Sequence, residues 1–323
     1  MPTDLFAPHA DTILVLGVGS LGGRIASLGA LGADSASSIT WGAAHANAPE
    51  LIATGLERKL LIQAEGPFAA TRARHLVTEQ RPVLRLWTMG KSVVLLVGAA
   101  GERAVAALLP ALAESFSRQH IFVGAVLTGD CSAAHTPDRP PLIDMPKLQE
   151  HCDLAVMLPP ELVSAALPVE STISAWHAAH EKRVLSIVET LAGALTSESD
   201  GNAFDADTLR RLRGGVPAVG FGYATGANCL QTALETALQA IRGSSEPLGQ
   251  LAVSIQAGWA LTLAELRAIS GKLDDVALPR PASLAFSHHP QMTSEAACLI
   301  LGTAPVRAKV VHLDAARPLA LQS

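Results

Sequence analysis

Charge is scarce in this sequence. Only 16% of its 323 residues are charged, against roughly 25% in an ordinary soluble domain. Aromatic residues are scarcer still at 4%, with one tyrosine, so the core must be built from Ala, Leu, Val and Ile. Hydrophobic residues make up 49% and the mean hydropathy is +0.31. Such a chain has large buried surfaces, or apolar faces reserved for self-association. Its length suffices for two domains of ordinary size, each with its own core.

Other absences exclude whole classes. There is no basic run and no interleaving of aromatic with basic residues, and the net charge is −5, so nucleic acid is not an expected partner. No apolar stretch reaches the ~20 residues that span a bilayer. Residues 1–11 lack a basic region followed by an apolar core; no secretion signal is read there, and the expected location is cytoplasmic. Cys131, Cys152, Cys229 and Cys298 form no Cys-x-x-Cys pair and read as reduced, mostly buried thiols. His45, His288 and His289 have no Cys, Asp or His at metal-ligand spacing. Ser20 and Ser132 sit in no Gly-x-Ser-x-Gly elbow, so no serine-hydrolase case arises.

What is present begins with an apolar run at residues 12–16 (TILVL), which reads as a buried parallel strand. Strong runs recur at 92–97 (SVVLLV), 121–128 (IFVGAVLT) and 154–158 (LAVML), the last stopped by Pro159 and Pro160. A short strand is read at 38–41, and residues 51–63 are ambiguous. Helices are expected over 24–31, over 69–80 with Pro82 ending it, and over 103–119 with Pro110 as a kink. Strands alternating with helices indicate a parallel, doubly wound sheet. Residues 171–195 read as one long helix with Ser171 as N-cap. Beyond a polar loop at 197–207, helices are expected over 206–212, 228–241 and 263–269. Strands are expected over 218–223, 250–257, 283–287 and 297–302, giving a smaller mixed sheet. The expected organisation is a nucleotide-binding domain over 1–170, a connecting helix over 171–200 and a C-terminal domain over 201–323.

Gly17-Val18-Gly19-Ser20-Leu21-Gly22-Gly23 follows a strand and opens a helix. Amides at such a turn point outward and the helix N-terminus adds partial positive charge, so a phosphate can sit there. Gly-x-Gly-x-x-Gly in this context is a nucleotide signal. For a dinucleotide, an acidic residue should end the second strand and bind the ribose. This sequence offers Trp41-Gly42-Ala43-Ala44-His45 there, and Asp34 comes too early. The plain alternative is a glycine turn kept for tight strand–helix packing.

The order of these elements resembles FtsZ and its relative tubulin over about residues 11–305. The fold this implies is a parallel Rossmann-like GTPase domain, a long central helix and a smaller mixed-sheet α+β domain. Residues 17–24 are similar to the family's first phosphate loop, which is richer in glycine and ends in Asn; Ser20, Leu21 and Arg24 depart from it. Arg24 is expected to meet a phosphate as a charged donor. Residues 93–106 (VVLLVGAAGERAVA) stand where the family carries Gly-Gly-Gly-Thr-Gly-Thr-Gly. Only Gly98 and Gly101 remain, with Glu102 and Arg103 in the turn. A carboxylate in a phosphate cradle repels the ligand unless Arg103 neutralises it. The preferred reading is a surface Glu102–Arg103 pair starting a helix, where Glu suits the dipole.

Residues 175–181 (AWHAAHE) resemble the family's Ala-Phe-x-x-Ala-Asn-Asp, in which the aromatic lies near the base and the Asn reads guanine. Trp176 is then the stacking face, with His180 in the Asn position. The alternative is a helix with Trp176 in the core and His180 in solvent. Residues 201–207 (GNAFDAD) resemble the catalytic loop Asn-x-Asp-Phe-x-Asp. Asn202 and Asp207 match, Phe204 takes the middle position and Asp205 is displaced by one. In the family this loop enters the next subunit's nucleotide site and polarises the attacking water, so hydrolysis occurs at a subunit junction. The alternative is an Asp N-cap for the helix that follows. Residues 251–266 (LAVSIQAGWALTLAEL) are the best single match and carry fold, not chemistry.

The resemblance implies a cytoskeletal protein that associates head to tail, binds GTP or GDP (with magnesium) at Gly17, Gly19, Ser20, Gly22, Gly23, Arg24, Gly98, Gly101, Trp176 and His180, and hydrolyses it slowly or not at all. Its implied role is cell division or membrane remodelling, with itself, FtsZ or a membrane adaptor as partners. Because residues 303–323 offer no linker and tail peptide, membrane contact is expected to need a partner. A Rossmann oxidoreductase using NAD(P) and a nucleotide-free pseudo-GTPase binding module remain as alternatives.

Overall fold

The computed structural model describes residues 12–33, 38–129, 142–163, 171–196, 203–204, 208, 212, 218–242, 251–258, 262–275, 283–289 and 291–302. Strand β1 (Thr12–Val18) runs into α1 (Gly19–Gly32), followed by β2 (Ile39–His45), α2 (Ala48–Ala53) and β3 (Arg58–Leu61). Two consecutive helices, α3 (Ala69–Glu79) and α4 (Arg81–Thr88), lead to β4 (Lys91–Ala99). Then come α5 (Arg103–Ser117), β5 (Phe122–Thr128), α6 (Met145–Gln149), β6 (Leu154–Leu158) and α7 (Pro160–Val163). These six strands form one sheet in the order β3-β2-β1-β4-β5-β6, and every pairing is parallel.

The apolar runs explain this sheet. Both of its faces are covered, so its strands need no polar alternation. Ile13 and Val15 point to the layer of α1 and α8 (Ile173–Leu195), whereas Leu14 and Leu16 point to the layer of α3, α4 and α5. Helix α8 lays Val184, Ile187, Val188 and Leu191 into the first of these cores.

The second sheet has the order β7-β10-β8-β9, from β7 (Ala218–Thr225), β8 (Leu251–Ala257), β9 (Ser283–His288) and β10 (Glu295–Gly302). It is mixed: β10 is antiparallel to both neighbours, and β8 is parallel to β9. Helices α9 (Cys229–Arg242) and α10 (Leu263–Asp275) contribute to the core on one face, and α8 packs on the other. A parallel sheet, a long helix and a mixed sheet therefore follow in the expected order.

Several local expectations need correction. Gly19 to Gly23 are helix, not turn: α1 starts at once after β1. Helix α3 ends at Glu79, before Pro82 as expected, but the sequence reading missed α4, which Pro82 opens; in the first helical turn its missing N–H costs nothing. The N-cap of α8 is Thr172, whose Oγ1 accepts from Ala175 N–H at 3.1 Å, not Ser171. Helix α5 contains Pro110 within one helix, as expected for 103–119. The loop over 197–207 and the helix over 206–212 fall mostly outside the described residues. No described helix is long and apolar enough to cross a membrane.

Candidate functional site

In an open sheet of this order, the crevice lies where the chain turns opposite ways from neighbouring strands, at the carboxyl ends of β1 and β4. Two helix N-termini meet there. Val18 precedes α1 and supplies no side-chain cap. Gly19 adopts φ 77°, and a Cβ on it would stand 2.3 Å from Glu102 Oε2. The α1 amides next to it are not open. Ser20 N–H donates to Glu102 Oε2 at 2.8 Å, and Leu21 N–H donates to Glu102 Oε1 at 3.0 Å. Glu102 is itself the residue that opens α5, its carbonyl accepting from Ala106 N–H at 3.0 Å. One residue thus starts one helix and caps another, 82 positions away. Two N–H donors and a helix dipole are the ingredients of an anion site, and a carboxylate of the same chain sits on them.

Beside this cap lies a cleft of about 400 Å³, bordered by Ser20, Arg24, Ser27, His45, Glu50 and Glu181 among others. Ser20 Oγ donates to Glu50 Oε2 at 2.5 Å. Glu50 is placed by the start of α2, where Asn47 caps the helix by accepting from Glu50 N–H. His45, the last residue of β2, accepts from Asn47 N–H at Nδ1 (2.7 Å). Its proton therefore sits on Nε2, 3.3 Å from both Ser20 Oγ and Glu50 Oε2. An imidazole protonated on that side cannot take a proton from Ser20. Across the cleft, Arg24 Nε donates to Glu181 Oε1 at 2.6 Å, joining α1 to α8. Glu50 and Glu181 line the cleft, and its Arg24 is already paired. The field there disfavours phosphate.

One residue before Glu181, His180 is 2% exposed. Burial pushes its pKa down to about 4, with His177 and Arg24 adding to the fall and Glu181 opposing it. Trp176 stacks on His180 with ring centroids 5.4 Å apart and meets His177 edge-on at 5.1 Å.

No protein-family model matches the sequence, and no curated protein matches it. Solved structures do. A mutant FtsZ of M. jannaschii superposes with a TM-score of 0.75 at 17% identity over 91% of each chain. CetZ of Methanosaeta thermophila gives 0.66 at 13% identity, over 92% of this chain and 87% of that one. CetZ2 of Haloferax volcanii, in a GTPgS-bound protofilament, gives 0.63 at 14% identity, over 92% and 94%. The chain has the FtsZ/tubulin fold.

Within that fold the expected site residues separate into groups. Gly17, Gly19, Ser20, Gly22, Gly23 and Arg24 do come together at the head of β1 and α1. Gly98 is buried inside β4, where a Cβ would lie 2.9 Å from Val18 O and from Val105 Cγ1; it serves close packing. Gly101 is half-buried in the turn just before Glu102. Arg24 meets a carboxylate, not an open anion site. Glu102 is not a surface partner of Arg103, because its carboxylate is held by the α1 amides. His180 is not in solvent, and neither it nor Trp176 borders the cleft; one face of the Trp176 ring is covered by His180. Asn202, Asp205 and Asp207 lie outside the described residues. Their neighbour Phe204 is buried and donates its N–H to Ala194 O at 3.0 Å, near the far end of α8 from Glu181.

Sequence reasoning missed Glu50 and Glu181 and weighed His45 only as a metal ligand. Two signals were available. Asn47-Ala48-Pro49-Glu50 reads as an N-cap with an acidic N3 residue. Glu181 falls on the Asp of the family pattern that drew attention to Trp176.

Proposed function

We propose that this protein is a self-associating FtsZ/tubulin-fold subunit that stacks head to tail and whose nucleotide crevice is filled by its own side chains. It serves cell division or membrane shaping as an assembly element, with GTP or GDP bound weakly and hydrolysis slow or absent. The observation that carries this reading is Glu102: both oxygens of its carboxylate accept N–H bonds from the α1 N-terminus, where a phosphate group would be cradled. The Arg24–Glu181 pair supports it, since it closes the side of the crevice where the resemblance puts the base. Head-to-tail stacking is supported by the placement of Phe204. Ala194, which holds it, is thirteen residues along α8 from Glu181, about 20 Å on the helix axis. Phe204 and Ala194 lie at the end of α8 away from this crevice, which favours a junction with the crevice of a neighbouring copy, and such contacts propagate into open filaments.

The strand order β3-β2-β1-β4-β5-β6 also favours an NAD(P) enzyme as a second reading. Glu102 opposes it for the same reason, because a pyrophosphate needs the same amides.

The test is labelled GTP and NADH binding together with sedimentation, on the native chain and on Glu102→Gly. Glycine is a tolerated N-cap, so α5 keeps its start. Expected are weak GTP binding and pelleting independent of GTP in the native chain, and GTP affinity raised about tenfold or more in Glu102→Gly as the repelling charge leaves. Tight GTP binding by the native chain, with pelleting only in its presence, refutes the reading. Tight NADH binding favours the second one.

A further inference from the structure

The opposite face of the first sheet carries a feature that the crevice does not use. Helix α4 buries Leu84 and Thr88, and Trp87 packs partly into the core of α3 and α5. Its outer side is apolar where water-facing residues are expected. Val83 and Leu86, one turn apart on α4, and Met89, which caps its end, are 37%, 67% and 72% exposed, and Pro82 beside Val83 is exposed too. The polar residues on this side are arginines: Arg85 is exposed and Arg81 half-buried, and neither belongs to any ion pair among the described residues. Charge is concentrated in the same stretch. Residues 57–91 hold seven Lys and Arg against three Glu, a net of +4 in a chain whose total is −5.

Two kinds of occupant suit an apolar strip with a basic rim. A second copy bound by the same strip would set Arg81 and Arg85 against their own images. A second copy bound by a different patch needs an apolar counterpart. The remaining large apolar side chains exposed among the described residues, Leu31, Ile52, Leu61, Phe68, Leu142, Ile173 and Tyr223, lie on separate segments of the chain. An anionic bilayer surface needs no shaped counterpart. It takes apolar side chains into the headgroup boundary while guanidinium groups meet phosphate. We infer that the outer face of α4, with Val83, Leu86 and Met89 as the inserted residues and Arg81 and Arg85 as the phosphate-facing ones, docks this protein directly on anionic lipid membranes. This lies on the sheet face away from α1 and α8, so docking leaves the crevice end accessible. It replaces the sequence-based expectation that membrane contact needs an adaptor.

The experiment is co-sedimentation of the full chain with vesicles of phosphatidylcholine alone, or of phosphatidylcholine mixed with phosphatidylglycerol. Binding is expected only to the mixed vesicles and to fall as salt rises. The Leu86→Glu, Met89→Glu double variant abolishes binding. Both positions face solvent, so it keeps the native circular dichroism and melting curve. Arg85→Ala weakens binding roughly fivefold. Leu31→Glu, an isolated exposed leucine on α1, leaves it unchanged. Failure of the native chain to bind the mixed vesicles overturns the inference, and so does unimpaired binding by the double variant. A double variant whose mass in solution drops relative to the native chain shows instead that the face is a contact between copies, and also overturns it.

Discussion

Arg24 on α1 and Glu181 on α8 lie 2.6 Å apart, Nε to Oε1, and bridge residues 157 positions distant in the chain. Arg24 is half-exposed, so the pair contributes no more than about 1 kcal/mol to stability. Its sharper effect falls on the neighbouring His180, whose pKa Arg24 lowers and Glu181 raises. Arg24→Ala therefore moves the His180 pKa upward, and Glu181→Gln moves it further down. Titration of the His180 ring protons by NMR reads both directions. Shifts of the same sign in the two variants contradict the geometry.

Glu102 makes a second prediction about anions. Glu102→Gly strips α1 of its cap and costs about 1–2 kcal/mol in urea unfolding. The bared Ser20 and Leu21 amides then form an ordinary helix N-terminal anion site. Sulfate should restore the lost stability in this variant beyond its general salting effect and do nothing specific for the native chain. Equal response of the two proteins to sulfate contradicts the capping role.

Much of the fold could be read in advance, because the physics that sets it is local. The runs TILVL, SVVLLV and LAVML become β1, β4 and β6, since strands buried on both faces need only be apolar and β-branched. The site could not, because its contacts are not local. Nothing near Ser20 announces that a carboxylate from the crossover after β4 will cap it. His180, read as a base contact or a solvent-facing residue, is buried because it shares a helical stripe with Val184, Ile187 and Leu191, and that spacing outweighs the usual exposure of histidine. Pro82 ended α3 as read, but α4 was missed because a proline that ends one helix equally begins the next.

Two glycines of α1 should respond in opposite ways to alanine. A Cβ on Gly22 would lie 2.2 Å from Val97 O, a backbone atom of β4 that cannot step aside. Gly22→Ala therefore pushes α1 off the sheet and costs roughly 3 kcal/mol, the upper range for overpacking. Gly32, at the end of the same helix, has nothing within 4 Å of an added Cβ. Gly32→Ala raises stability by a few tenths to about 1 kcal/mol through the unfolded chain. Thermal melts of the two variants give the comparison directly.

The buried His180 and the half-buried Glu189, both on α8, shape the pH dependence with opposite signs. Burial pushes the Glu189 carboxyl up to about 7. Between the ordinary carboxylate range and pH 7 the folded chain holds a proton that the unfolded chain has released, so stability falls as pH rises through that window. Burial holds His180 down at about 4. Between pH 4 and the ordinary imidazole range the unfolded chain holds the extra proton, so stability falls as pH drops. The windows overlap, and around pH 5–6 the two slopes cancel. Each single variant should uncover the other limb. Glu189→Gln gains up to roughly 3 kcal/mol over the native chain at pH 8, gains nothing near pH 4, and keeps the loss toward acid. His180→Gln loses the acid limb and keeps the decline toward neutral pH. Melting temperatures of the three proteins across pH 4 to 8 decide it: a Glu189→Gln difference that stays constant over that range would mean that its carboxyl titrates as it does in water.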